Sequence, residues 1–141
     1  MYLLRNGSIK PGMAIGPFYL GMTYREVISI SEDFRMESVG TIFEMIGENV
    51  RLSINATSQK VFHISVWGSF RGKVDGWLGI GTMWCSVIDR GLAYRQDDLS
   101  LFIIECYPNT YFELGEVHSE GIWHEADASI LRLGISTDLG E

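Results

Sequence analysis

The chain of 141 residues contains few residues of the kinds that build disulfide frameworks, rigid linkers or membrane spans. It has three prolines and two cysteines, Cys85 and Cys106. Two cysteines are too few for a disulfide framework, and their spacing does not match a metal-binding pair. We therefore expect both to be small buried residues. The longest apolar stretches are far shorter than the roughly 20 residues that a membrane-spanning helix needs.

The amino terminus also lacks a targeting signal, because no long apolar run follows a basic start in residues 1–7. We expect a soluble, intracellular protein that resides in the cytoplasm. With 46% hydrophobic and 12% aromatic residues, the chain can bury a sizeable core. Its length is that of one ordinary domain, residues 1–141.

Basic residues are scarce in the last third of the chain. Residues 97–141 contain ten acidic residues against one basic residue, Arg132, hence a formal charge of −9. Residues 1–96 contain ten basic and eight acidic residues, hence +2, which together give the −7 of the whole chain. An acidic segment repels nucleic acid and attracts a basic protein partner. Solubility alone accounts for the same asymmetry about equally well.

A strand end, a tight turn and a helix start follow one another in residues 20–28. Thr23 suits the N-cap, and Glu26 three residues later completes a capping box. The apolar spacing predicts a helix that ends near Ser31. A weaker copy of the pattern in residues 80–88 predicts a second helix, from Met83 to about Arg90. We interpret the two copies as the starts of two related units, residues 12–67 and 76–135.

Alternating and apolar segments predict the strands of each unit. They are residues 15–20, 41–46, 50–56 and 61–67 in the first unit and 99–106, 111–114 and 130–135 in the second, with a short edge strand at residues 2–4. Residues 115–127 are expected to form a polar, acidic loop. The predicted class is α+β, with a curved antiparallel sheet of about seven or eight strands and two short helices on one side.

Residue types that carry chemistry are present without a recognisable motif. The segment of residues 118–125 holds zinc-ligand types, but their spacing matches no metal site, and incidental histidines in an acidic loop are commoner. They are His118, Glu120, His124 and Glu125. His63 and Ser65 lack the strained turn of a nucleophilic serine, so we interpret His63 as a solvated strand residue. We assign no catalytic, metal-binding or cofactor-binding residue and expect no cofactor.

Aromatic residues are interleaved with acidic ones in residues 97–127. Protein interfaces combine aromatic anchors with a charged rim. We therefore predict that a partner binds at Asp97, Asp98, Tyr107, Tyr111, Glu113, Glu116, Glu120, Trp123, Glu125 and Asp127. The alternative role for such rings is core packing, which we expect for Phe112.

The segment Gly-Pro-Phe-Tyr-Leu-Gly-Met-Thr-Tyr-Arg-Glu-Val of residues 16–27 resembles the strand-turn-helix opening of small bacterial immunity proteins from toxin–immunity systems, of the contact-dependent inhibition or polymorphic toxin type. It is also similar to the repeats of β-lactamase inhibitory protein and of an outer-membrane assembly lipoprotein. The resemblance covers about a dozen residues strongly and the second unit weakly. It implies helices packed on a sheet and a function in binding other proteins. The missing lipoprotein and secretion signals favour the immunity proteins.

Two hypotheses follow. In the first, the chain is an immunity protein that binds and occludes a cationic toxin domain, such as a nuclease, through the acidic aromatic surface of residues 97–127. The partner is then a cognate toxin domain with a basic surface, and neither nucleic acid nor a membrane is expected. In the second, the chain is a small-molecule-binding or enzymatic domain with a cleft between sheet and helices near His63, Trp67 and Trp77.

Overall fold

Many short strands dominate the fold, as the frequent turn residues of the sequence predict. The computed structural model describes residues 1–98, 100–115, 118–119, 122–123 and 125–137. Within them the helices are α1 (Tyr24–Ile30), α2 (Trp84–Asp89) and a 3-10 helix (Glu125–Asp127). The strands are β1 (Ile9–Lys10), β2 (Ala14–Ile15), β3 (Phe18–Tyr19), β4 (Arg35–Val39), β5 (Ile42–Ile46), β6 (Val50–Asn55), β7 (Val61–Trp67), β8 (Tyr94–Asp98), β9 (Leu101–Ile104), β10 (Thr110–Leu114), β11 (His118–Ser119), β12 (Ile122–Trp123) and β13 (Ile130–Ser136).

One antiparallel sheet of eight strands organises the molecule. Its strand order is β4-β5-β6-β7-β13-β10-β9-β8, so β4 and β8 form the two edges and β7 pairs with β13 at the centre. Strands β1 to β3 form a separate three-stranded sheet, and β11 pairs with β12. The predicted α+β class and the number of strands in the main sheet are confirmed.

The first helix begins where its capping box predicts. The Glu26 N–H donates to Thr23 Oγ1 at 3.2 Å, and the Thr23 N–H donates to Glu26 Oε1 at 3.1 Å, so each side chain satisfies a backbone donor of the first turn. Helix α2 begins after Met83, which offers no capping side chain. Its start therefore depends on tertiary contacts rather than on a local cap.

Backbone hydrogen bonds attach the start of α1 to the main sheet. The Gly21 N–H donates to the Val61 carbonyl at 2.8 Å, and the Val61 N–H donates to the Met22 carbonyl at 2.8 Å. The Tyr24 N–H, at the first helical residue, donates to the Gln59 carbonyl at 2.9 Å. The chain before α1 thus lies antiparallel to the start of β7.

The start of α2 is attached by the same set of bonds. The Gly81 N–H donates to the Ile130 carbonyl at 2.8 Å, and the Ile130 N–H donates to the Thr82 carbonyl at 3.0 Å. The Trp84 N–H, again at the first helical residue, donates to the Ala128 carbonyl at 2.8 Å. The chain before α2 thus lies antiparallel to the start of β13.

Both α-helices pack on the same face of the sheet. The Trp84 ring of α2 lies 5.1 Å from the ring of Phe102, between centroids, and 6.2 Å from that of Phe112. Tyr24 of α1 lies 5.6 Å from Phe43. The main core lies between helices and sheet, and Phe112 belongs to it as expected. Side chains that alternate with these residues point to the opposite face, which we call the polar face.

The structure corrects the prediction of a strand at residues 2–4. The Leu4 N–H donates to Asn49 Oδ1 at 2.8 Å, and Asn49 Nδ2 donates to the Leu4 carbonyl at 2.6 Å. The Tyr2 N–H donates to the Asp33 carbonyl at 2.7 Å. The backbone of residues 2–4 is therefore held by the buried Asn49 side chain and by the Asp33 carbonyl, and not by a neighbouring strand. The predicted strand at residues 15–20 is also divided, because Gly16 turns the chain with a φ of +58° between β2 and β3.

Both edge strands were missed from the sequence. Strand β4 is exposed at all five residues and β8 has the polar sequence Tyr-Arg-Gln-Asp-Asp, so neither shows the expected alternation. The segment predicted as a loop contains β11, β12 and the 3-10 helix. Cys106 is exposed and Cys85 half-buried, so the prediction that both are buried is wrong for Cys106. No helix in the described ranges is long and apolar enough to span a membrane.

Candidate functional site

A contact between distant strands lies at the centre of the polar face. Tyr111 on β10 reaches across β13 to His63 on β7, and its hydroxyl lies 2.7 Å from His63 Nε2. The two rings are nearly parallel, with an interplanar angle of 14°. Gly134 on β13 pairs with Tyr111, and a Cβ atom on Gly134 would collide with the Tyr111 ring. The glycine therefore leaves the space that the ring fills.

The contact extends into a row of polar side chains over β6 and β5. Ser53 Oγ lies 3.3 Å from His63 Nδ1 and donates to Glu44 Oε1 at 3.5 Å. Glu44 Oε2 in turn lies 3.4 Å from Arg51 Nε. We call Tyr111, His63, Ser53, Glu44 and Arg51 the polar chain. It joins a strand of the second half of the sheet to three strands of the first.

Burial keeps two titratable groups of the polar chain, His63 and Tyr111, in their neutral forms. Burial, followed by the charges of Arg132 and Arg51, lowers the pKa of His63 to about 4. Burial also raises the pKa of Tyr111 to about 12. With both ring nitrogens of His63 engaged, the imidazole is a fixed hydrogen-bonding bridge at neutral pH rather than a free base. His63 is half-buried, whereas the sequence analysis predicted a solvated strand residue.

A second group of side chains crosses the polar face beside the first. Glu113, Arg132 and Trp67 are paired in register on β10, β13 and β7. Arg132 Nε lies 3.6 Å from Glu113 Oε2, and the Arg132 guanidinium lies 4.7 Å from the centroid of the Trp67 ring. All three side chains are half-buried, so each remains in contact with solvent while its position is fixed by its neighbours.

The predicted acidic residues lie at the β8 end of the sheet but not on one face. Asp97 is exposed on the edge strand β8, and Glu113 lies on the polar face. Glu125 and Asp127 lie in the 3-10 helix, where Glu125 is close enough to Tyr94 to contribute, after burial, to a raised pKa of that phenol. Because Tyr94 packs against Trp84, Glu125 lies on the helix side.

The two predicted tyrosine anchors are buried by the protein itself. Tyr107 is 8% and Tyr111 is 7% exposed. The Tyr107 hydroxyl donates to Asp75 Oδ2 at 2.9 Å, and burial together with this bond raises the pKa of Tyr107 to about 12. Both rings therefore offer little surface to a partner. Glu116 and Glu120 lie outside the described residues, and the side chains of Asp98 and Trp123 are not described either.

The three residues named for a ligand cleft lie in different places. His63 and Trp67 point to the polar face, away from the helices. Trp77 lies on the helix side, where the guanidinium of Arg90, at the end of α2, is 3.8 Å from its ring centroid. These residues do not line one cleft between sheet and helices.

Among the described residues, no group of three or more His, Cys, Asp or Glu side chains is placed to hold a metal ion. The segment considered for zinc falls largely outside this description. Glu120 and His124 are not described, and of His118 only the backbone is.

The polar chain was missed from the sequence, although one signal pointed to it. An isolated glycine inside an apolar strand indicates close approach by another group, and Gly134 stands between Leu133 and Ile135, which are fully buried. The partners of the polar chain are 7 to 48 residues apart along the sequence, so only the sheet register brings them together.

The chain matches no protein family, and neither characterised proteins nor solved structures show significant similarity to it.

Proposed function

We propose that the protein is an inhibitor of the immunity type, which binds and occludes a cationic toxin domain such as a nuclease. The binding surface is the acidic end of the main sheet, formed by β8, β9, β10 and the 3-10 helix. Its described acidic residues are Asp97, Glu105, Glu113, Glu125 and Asp127. The mechanism is steric occlusion guided by charge complementarity, without catalysis.

The separation of charge within one sheet is the observation that carries this proposal. Residues 97–141 have a formal charge of −9 and residues 1–96 of +2. The strand order places β8, β9 and β10 together at one end of the sheet, where the described residues Asp97, Glu105 and Glu113 lie. Within the described part, Asp97 and Asp127 are exposed and make no ion pair. They are therefore available to a basic partner.

The proposal includes two related units, as the sequence pattern indicates. The matching bonds that attach α1 to β7 and α2 to β13 support it. So does the strand order, in which β4-β5-β6-β7 and β8-β9-β10-β13 are two four-stranded halves that meet at β7 and β13. The resemblance to repeats of an inhibitory protein fits the same arrangement.

The polar chain supports binding by fixing the two halves against each other. It begins at Tyr111 in one half and ends at Arg51 in the other. A surface that is already rigid loses less conformational entropy when a partner docks. Glu113 is two residues from Tyr111 on β10, so its carboxylate is presented by a strand that this contact anchors.

Charge reversal at two exposed acidic residues tests the proposal. Asp97→Lys combined with Asp127→Lys changes the net charge by the same amount as Glu32→Lys combined with Glu48→Lys, which alters exposed residues of the other half. The probe is the cationic toxin domain that the proposal expects to be encoded beside the gene, purified with its active site inactivated. We expect the first variant to associate about tenfold more slowly at low salt, and the second within about twofold of the wild type.

Glu113 is left unchanged in this experiment, because its ion pair with Arg132 is intramolecular. Equal losses in the two variants would mean that only net charge matters, and the proposed surface would be wrong. If the wild-type protein neither binds the domain nor protects cells that express its active form, the inhibitor function itself is wrong.

A further inference from the structure

We propose that the other edge of the sheet, β4, pairs with β4 of a second copy of this chain, so that two eight-stranded sheets join into one. This edge lies at the opposite end of the sheet from the acidic surface. The inference therefore does not rest on the inhibitor function.

Strand β4 has an outer edge that no described strand covers. It pairs only with β5 among the described strands, and its outward backbone N–H and C=O groups remain available for a further strand. All five of its residues are exposed, including Met36 at 47% and Val39 at 72%. Its register with β5 is continuous from Arg35 to Val39. An edge of this kind is a template for strand addition.

The edge at β8 shows the protection that β4 lacks. Its register with β9 shifts between Gln96 and Asp98, which marks a bulge or irregularity, and Asp97 lies exposed at that point. A bulge discourages pairing with another chain. Strand β4 contains neither a bulge nor a proline. The contrast singles out β4 as the edge that accepts a partner strand.

The sequence of β4 is complementary to itself in an antiparallel arrangement. If a two-fold axis passes through Met36, Arg35 of each copy lies opposite Glu37 of the other. Arg35 and Glu37 share the polar face, and both are exposed, with side-chain accessibilities of 60% and 49%. In this register two ion pairs form across the junction, and the two Met36 side chains meet on the helix side.

A like-charge contact inside the chain gives a reason for the second copy. Glu37 lies directly opposite Glu44 on β5, and like charges in this position are destabilising. Arg35 lies 3.5 Å from Glu37 within the same strand, and Glu44 has Arg51 as its own partner. The Arg35 of a second copy would supply a further positive charge to this carboxylate pair.

The acidic surface stays free in such a dimer. Seven strand spacings separate β4 from β8, which at about 4.8 Å each is about 34 Å. The two acidic ends would therefore lie at the outer ends of the joined sheet, each open to a partner.

Two single variants test the dimer and its register by sedimentation or light scattering over a wide concentration range. We expect the wild-type mass to rise with concentration from one chain toward two. Arg35→Glu places Glu opposite Glu at both positions, and Glu37→Arg places Arg opposite Arg. Each variant alone should therefore remain monomeric at concentrations where the wild type associates. Lys10→Glu, an exposed change that alters the net charge as Arg35→Glu does but lies away from β4, should associate like the wild type.

An equimolar mixture of the two variants provides the decisive measurement. In a mixed pair, positions 35 and 37 are both acidic in one chain and both basic in the other, so both cross-junction contacts become attractive. We expect the mixture to associate although neither component does, while circular dichroism shows both folded. A wild-type protein that stays monomeric throughout, or a mixture that fails to associate, would overturn the proposal. Inhibition of a toxin by a monomeric wild type would leave the proposed function intact.

Discussion

Tyr111 lies across the backbone of Gly134 and hydrogen-bonds to His63 on the next strand, with 2.7 Å between its hydroxyl oxygen and Nε2. The pair spans the junction where β7 and β13 join the two halves of the sheet. The Tyr111 ring can therefore lie here only because Gly134 has no side chain. Its hydroxyl hydrogen-bonds to the neutral imidazole of His63.

Replacing Gly134 by alanine tests the first dependence. The new Cβ would collide with the Tyr111 ring, which must then shift away from His63. We expect the free energy of unfolding in urea to fall by about 1–3 kcal/mol, the usual cost of overpacking. The backbone itself tolerates alanine, because Gly134 is not among the glycines with a positive φ.

The Tyr111→Ala background is the matched control for this substitution. Without the ring, Gly134→Ala should cost less than about 0.5 kcal/mol, and the difference between backgrounds measures the coupling of the two residues. A cost that is the same in both backgrounds would show that Gly134 serves something other than the tyrosine.

The neutral imidazole makes stability depend on pH. The folded pKa of His63 is lowered from 6.5 to about 4, so the unfolded chain binds a proton more readily between these values. His63 therefore does not reduce the folding stability above pH 6.5, where it is neutral in both states. The free energy of unfolding decreases as the pH falls from 6.5 toward 4. Between these limits the loss from this residue is up to about 3 kcal/mol. Urea unfolding at several pH values measures it.

His63→Gln isolates the histidine from the carboxylates, which also titrate below pH 5. Glutamine can hydrogen-bond to its neighbours but does not ionise. We expect the variant to lose less stability than the wild type from pH 6.5 to 4. Parallel pH profiles for the two proteins would contradict the lowered pKa of His63.

Asn49 determines where the amino-terminal segment lies. Its buried amide both accepts from and donates to the backbone of Leu4. Asn49→Ala leaves these groups without partners, and we expect a loss of about 2 kcal/mol in the free energy of unfolding. Limited proteolysis should also cut residues 1–6 faster than in the wild type. Asn6→Ala, which removes only a local exposed bond, should change neither property measurably.

The elements that the sequence predicted well are those with local causes. The capping box of Thr23 and Glu26 fixes the start of α1, because both partners lie within one turn. The strand predicted at residues 61–67 coincides with β7, since strong alternation and turn residues bound it. The negative charge of the last third of the chain likewise followed from counting its acidic and basic residues.

The tertiary structure decided what depends on partners far apart in sequence. Strands β4 and β8 are polar, and the neighbouring strand, not their own residues, makes them strands. Asn49 holds a segment 45 residues away, and Tyr111 meets His63 only because β13 lies between them with a glycine at the crossing point. Sequence alone thus determined the class, the first helix and the charge. The sheet register decided which side chains meet, because contacts across strands depend on pairing that no local pattern encodes.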